Sequence, residues 1–234
     1  MKKIKLISVL LSILIILLGV SGCMENQNDK LLKEDMKHYA ENKYGRDFQL
    51  KKFQEAKDET YTNILTLSDG IHIFNVYQRG DSEMFDDYAK AVVNKKFADS
   101  LRKNYGDDFS IYVNLMFTNG NNITLEYAKG NEVSTILNDY SLLKIVAVLV
   151  LNDSIEASSQ KVFSAYRSIT EFDPKYIDFE VIQVNNMGED LNDMLENLPA
   201  FYDNDWKKYS EVIDHLSVLD TNIASSDELL NGGK

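Results

Sequence analysis

Residues 142–151 read Leu142-Leu143-Lys144-Ile145-Val146-Ala147-Val148-Leu149-Val150-Leu151. The run is rich in β-branched residues, carries a single charge and does not alternate. At ten residues it is too short to span a bilayer, which takes about 20. A short apolar run of this kind predicts a central strand buried on both faces. Helical spacing follows over 155–169, then a second strand pattern over Tyr176–Val184. Strand, helix and strand at this spacing predict a βαβ unit with parallel strands.

Working back toward the N-terminus, Glu132–Asp139 predicts a short helix. Strands are expected at 109–118 and 122–128, joined by Asn119-Gly120-Asn121. Ser82–Tyr105 predicts the longest helix, with Phe85, Tyr88, Ala89, Val92, Phe97 and Leu101 as its apolar stripe and Asp81 or Ser82 as its cap. Thr60–Leu67 and Ile71–Gln78 both alternate around Ser68-Asp69-Gly70, a hairpin signal. A strand is expected over 47–55, after a helix that Asp29 caps and that carries Leu32, Met36, Tyr39 and Ala40. Tyr44-Gly45-Arg46-Asp47-Phe48 and Tyr105-Gly106-Asp107-Asp108-Phe109 echo one another. Similar helix-end chemistry accounts for the echo more simply than a duplicated unit does.

Toward the C-terminus, 185–234 holds 11 acids and 3 lysines. Leu191, Met194, Leu195 and Leu198 predict one helical face; Trp206, Tyr209, Val212, Ile213, Leu216 and Leu219 predict another. Periodicity fades after Asp220, which predicts a flexible tail over 220–234. The expected fold class is therefore α+β: a mainly antiparallel sheet with hairpins, one βαβ crossover and helices packed on the sheet, in a single domain over 29–219.

The whole chain has 234 residues and a net charge of −12, which argues against a nucleic-acid partner, since phosphate recognition needs a basic face. A single cysteine, Cys23, excludes a disulfide-built scaffold. Its position is informative. Lys2, Lys3 and Lys5 precede an apolar run from Leu6 to Val20, and then comes Val20-Ser21-Gly22-Cys23. Basic start, apolar run and small residues form a secretory signal pattern.

Val20-Ser21-Gly22-Cys23 resembles the lipobox of bacterial lipoproteins, of the Gram-positive type. The resemblance covers residues 1–23 only. It implies that 1–22 is a signal peptide, that Cys23 carries diacylglycerol, and that the mature chain is tethered through 23–28 at the extracytoplasmic face of the cell membrane. Losing 1–22 removes three lysines and no acid, taking the net charge from −12 to −15. An anionic membrane repels such a domain, so the lipid must do the attaching.

No chemical motif stands out in the mature chain. His38, His72 and His215 lack metal-ligand spacing, and neither a metal nor another cofactor is expected. Nucleophile elbows and phosphate-cradling glycine loops are missing from the sequence. Asp203-Asn204-Asp205 begins like a calcium loop without the rest of one. Asp86-Asp87, Asp107-Asp108 and Glu189-Asp190 are acid pairs that a glycosidase mechanism requires but that an acidic chain also supplies by chance. Arg79-Gly80-Asp81 fits a turn between strand and helix. Asn152-Asp153-Ser154, at the carboxyl end of the most buried strand, is the candidate polar pocket, since ligands collect there in α/β units; a helix cap is the simpler reading. Tyr61, Tyr77, Tyr112 and Tyr127 fall on predicted strands, where a tyrosine-rich face can form a binding surface. These features favour a non-enzymatic binding or accessory lipoprotein with a protein or peptide partner at the envelope. A wall-active hydrolase using paired carboxylates and a small-molecule receptor for a transporter are the alternatives.

Overall fold

The computed structural model describes residues 27–55, 63–80, 83–105, 109–118, 123–198 and 205–231. The lipobox residues Val20, Ser21, Gly22 and Cys23 lie outside them. So do the Asp81 and Ser82 caps, the 119–121 turn, Gly106, Tyr61, Asp107-Asp108 and Asp203-Asn204.

The fold is α+β, with two four-stranded sheets. Helix α1 (Gln27–Tyr44) leads into strands β1 (Gln49–Glu55), β2 (Asn63–Ser68), β3 (Ile73–Arg79) and β4 (Glu83–Asp86), which pair antiparallel in chain order. Gly45, at φ +63°, closes α1 in a conformation that favours glycine. One face of this sheet is apolar: Leu65, Leu67, Phe74 and Val76 are fully buried with Met36 and Ala40 of α1. Side chains alternate across a strand, so the opposite face carries Thr66, Ser68, Asn75 and Tyr77.

Helix α2 (Tyr88–Tyr105) crosses to the second sheet, built from β5 (Phe109–Phe117), β6 (Leu142–Leu151), β7 (Tyr176–Val184) and β8 (Val212–Val218) in that spatial order. Helices α3 (Leu125–Gly130) and α4 (Val133–Asp139) connect β5 to β6, and α5 (Ser159–Thr170) connects β6 to β7. Strands β6 and β7 are parallel, as the decisive ten-residue run predicts; the other pairings are antiparallel. Ile145, Ala147 and Leu149 enter a core shared by both sheets. Val146, Val148 and Val150 face a second cluster with Leu191 and Leu195 of α6 (Glu189–Glu196) and Trp206. Burial on both faces is why β6 does not alternate.

Asp29 lies within the first turn of α1 rather than at its cap, and four larger expectations need correction. Residues 82–105 are not one helix: 83–86 form β4 and the helix begins at Tyr88. Phe85 stacks on Tyr77 across the strand pair, with ring centroids 5.5 Å apart, and Asp86 caps the helix by accepting the Tyr88 N–H. The expected strand at 122–128 is instead α3, because Thr124 Oγ1 accepts the Tyr127 N–H as an N-cap. The expected helix through 206–219 is a 3₁₀ turn (Trp206–Lys208) followed by β8, whose edge pairs with β7.

The fourth correction concerns the tail. Residues 220–231 are packed, and the domain extends past the expected 29–219 limit. Helix α7 (Ser226–Leu230) is held by a capping box: Ser225 Oγ accepts the Glu228 N–H, and Glu228 Oε2 accepts the Ala224 N–H. Ile223 and Leu229 are fully buried. Tyr166 O–H donates to the Asp220 carbonyl at 2.7 Å, and its oxygen accepts the Ile223 N–H at 3.1 Å. Among the described residues no helix is long and apolar enough to cross a membrane.

Candidate functional site

The polar face of the first sheet lies opposite the face that Met36 and Ala40 of α1 cover. It forms one wall of a cleft of about 980 Å³. A stripe of α2, the middle of β5 and the end of α6 form the rest. On α2 the lining residues Lys90, Asn94, Ala98 and Arg102 recur every four positions, so they share one side of the helix. The other side carries Val92, Val93, Phe97 and Leu101 into the core.

Asn75 sits at the centre of the sheet wall. Thr66 Oγ1 donates to its Oδ1 at 2.8 Å, and its Nδ2 donates to Asn197 Oδ1 at 3.2 Å. This amide pair ties the first sheet to the residue that ends α6 in the second unit. Asp87 is fixed beside it, accepting the Asn75 N–H at 2.6 Å through Oδ1 and the Tyr77 O–H at 2.9 Å through Oδ2. Burial pushes the Asp87 carboxyl above its ordinary value, against the pull of Lys90 and of those two bonds.

The β5 wall holds two more amides. Asn94 Oδ1 accepts the Leu115 N–H at 3.0 Å, satisfying a donor on the free edge of the second sheet. Asn114 is 5% exposed and donates through Nδ2 to the Leu198 carbonyl at 2.6 Å. Its Oδ1 is buried and has no hydrogen-bond partner among the described residues. Tyr112 lies beside it, its hydroxyl held above the usual range by burial and by Glu196, with Arg102 opposing.

The charge of the cleft runs against that of the chain. Lys51, Lys90, Lys95 and Arg102 line it against Asp87 and Glu196. Lys95 and Arg102 share one further carboxylate, Asp99, at 2.6 and 3.0 Å. A positive excess remains in a protein of net charge −12.

The sequence candidates fall elsewhere. Asn152, Asp153 and Ser154 follow β6 outside the cleft; Asn152 and Asp153 are exposed, and Ser154 Oγ accepts the Ala157 N–H at 3.2 Å, a turn cap. The adjacent acids Asp86 and Asp87 diverge: Asp86 binds Lys43 and Tyr44 on the α1 side, while Asp87 faces the cleft. Glu189 and Asp190 are exposed in the first turn of α6. Arg79 pairs with Glu83, and Gly80 adopts φ +59° in the turn. His38 pairs with Glu41, His72 with Asp69, and His215 is exposed on β8 rather than on a helix. Among the described residues no group of three or more His, Cys, Asp or Glu is placed to hold a metal ion. Of the four tyrosines expected on strands, Tyr77 and Tyr112 line the cleft, Tyr127 lies on α3, and Tyr61 is outside the described residues.

No protein-family model matches the chain, and neither does any curated protein. Among solved structures, a DUF5037 family protein from Ruminococcus gnavus is similar at 13% sequence identity, with a TM-score of 0.53, covering 86% of this chain and 99% of that one. At this identity the likeness is one of fold.

Proposed function

We propose that the chain is a lipid-anchored binding protein of the extracytoplasmic membrane face, and that the cleft between the two sheets is where it takes its ligand. The observation that carries this reading is the cleft itself. It is of ligand-binding size, at the upper end of the roughly 300–1,000 Å³ typical of small-molecule sites. It is also lined by amides held in place by hydrogen bonds to one another and to the backbone, and by cations of which Lys95 and Arg102 are held by Asp99. The carboxylates support binding over hydrolysis, because Asp86 and Asp87 are committed to different partners on different sides of the sheet. The anchor rests on Lys2, Lys3, Lys5, the apolar run and Val20-Ser21-Gly22-Cys23.

Two measurements test the two halves. Cys23→Ala is expected to abolish labelling by radioactive palmitate in cells, and persistent labelling of that variant would overturn the anchor. For the cleft, the full chain is incubated with envelope extract, washed and examined by native mass spectrometry. A retained mass is expected in the wild type and not in Ile64→Trp, which fills the cleft from a strand position that accommodates an aromatic ring. Equal retention by both proteins, or by neither, would overturn the cleft as the binding site.

A further inference from the structure

Two features of the cleft ask for complementary chemistry. At its buried wall, Asn114 Oδ1 is an acceptor with no donor among the described residues. A buried polar atom left this way requires an explanation, and a ligand N–H aimed at it supplies one. On the α2 wall, the stripe that begins at Lys90 and ends at Arg102 brings positive charge to a chain that is otherwise acidic. Between these walls the lining is amide-rich: Asn75, Asn94 and Asn197 present the same donor and acceptor inventory as a peptide group. An anion alone would use the cations and leave Asn114 unpaired. A neutral amide would do the reverse.

We propose that the cleft binds a short acidic peptide, with a ligand carboxylate on the Lys90–Arg102 stripe and a ligand amide N–H donating to Asn114 Oδ1. This rests on the cleft being the binding site. The size agrees, since a cavity of about 980 Å³ accommodates several residues of peptide. The geometry also predicts that affinity falls with salt, because the α2 stripe lies at a partly exposed surface where charges are screened.

The test is calorimetric titration of the full chain in detergent micelles with the tripeptide Ala-Glu-Ala, N-acetylated and C-amidated so that the glutamate side chain is its sole carboxylate, alongside Ala-Gln-Ala blocked in the same way, glucuronate and inorganic phosphate. Ala-Glu-Ala is expected to bind at least about tenfold more tightly than Ala-Gln-Ala, the usual effect of one charge-assisted hydrogen bond. Lys90→Ala, a partly buried helix position whose loss spares the core, is expected to weaken Ala-Glu-Ala by about tenfold and Ala-Gln-Ala hardly at all. Equal binding of the two peptides would overturn the carboxylate assignment. Glucuronate or phosphate binding as tightly as Ala-Glu-Ala would reduce the site to a general anion site and overturn the peptide. If no probe binds while the cleft still retains a mass from envelope extract, the acidic-peptide class falls and the binding reading stands. If neither occurs, both fall.

Discussion

Trp206→Ala is expected to destabilise the protein by about 5 kcal/mol, a large share of the stability of an ordinary domain. Trp206 is 1% exposed and packs into the cluster that covers the outer face of β6 and β7. Truncating a fully buried tryptophan costs roughly 3–5 kcal/mol through lost burial and the cavity left behind. A polar term adds to this. The Trp206 indole N–H donates to Glu180 Oε2 at 3.1 Å, and Glu180 is fully buried in the middle of β7. Ser217 on β8 donates to the other oxygen at 2.6 Å. Removing one donor from a buried carboxylate costs more than removing one from a neutral acceptor. Trp206→Phe separates the contributions, since it keeps most of the volume and loses the N–H. It is expected to cost about half as much. Urea unfolding monitored by circular dichroism reads both variants. A loss below about 2 kcal/mol for Trp206→Ala would mean that the second cluster does not support the sheet.

The same cluster shows where sequence reasoning succeeds and where it stops. Residues 142–151 are legible because both faces of β6 are buried, which erases alternation and leaves an unbroken apolar run. The hairpin around Asp69-Gly70 is legible because the turn chemistry is local; Gly70 adopts φ +91° there. Residues 206–219 mislead because β8 is an edge strand. Only Val218 is fully buried, Ile213 is 53% exposed, and apolar residues placed by such loose constraints also fit a helical period. The packed segment after Asp220 is short, and its Ser225-Glu228 capping box is a signal that apolar periodicity alone does not register.

The cleft is less legible than the fold, for a physical reason. Its residues come from two sheets, and no spacing along the chain joins Asn75 to Asn197 or Lys90 to Asn114. Two local signals point toward it. Asn114 interrupts the apolar strand Ile111-Tyr112-Val113-Asn114-Leu115, where a buried amide needs a partner. Lys90, Asn94 and Arg102 form a polar stripe on an amphipathic helix, which without the structure reads as a solvated face. The strand tyrosines come nearest, since Tyr77 and Tyr112 both reach the cleft, whereas Asn152-Asp153-Ser154 marks the end of β6, a strand that does not line it.

Asp69→Ala carries the second large effect and a definite pH signature. The Asp69 side chain is 1% exposed. It accepts the Tyr88 O–H at 2.6 Å, the His72 N–H at 2.7 Å and the Ile71 N–H at 2.9 Å, and the Arg46 guanidinium lies 3.2 Å away. Burial by itself would raise the carboxyl, but the bonds from Tyr88, His72 and Ile71 together outweigh it and hold Asp69 far below the usual carboxylate range. The partner effect appears on Tyr88, whose hydroxyl is pushed up to about 12, first by burial and then by its bond to Asp69. Arg46 is 41% exposed, so its ion pair adds little, and the three hydrogen bonds carry most of the cost. Asp69→Ala is therefore expected to lose about 3 kcal/mol at neutral pH. Because the folded value is depressed, the unfolded chain takes up the proton first. The contribution is complete above the ordinary carboxylate value and is lost as pH falls below it. The stability gap between wild type and Asp69→Ala should narrow by about 1 kcal/mol or more between pH 6 and pH 3, read from urea midpoints at each pH. A gap of constant size would mean that the hairpin is held by its backbone alone. The same network fixes Ser68, Ile71 and His72 at one end of the cleft wall. Ligand affinity in Asp69→Ala should then weaken under conditions where the variant is still folded, which ties the stability of the hairpin to the shape of the site.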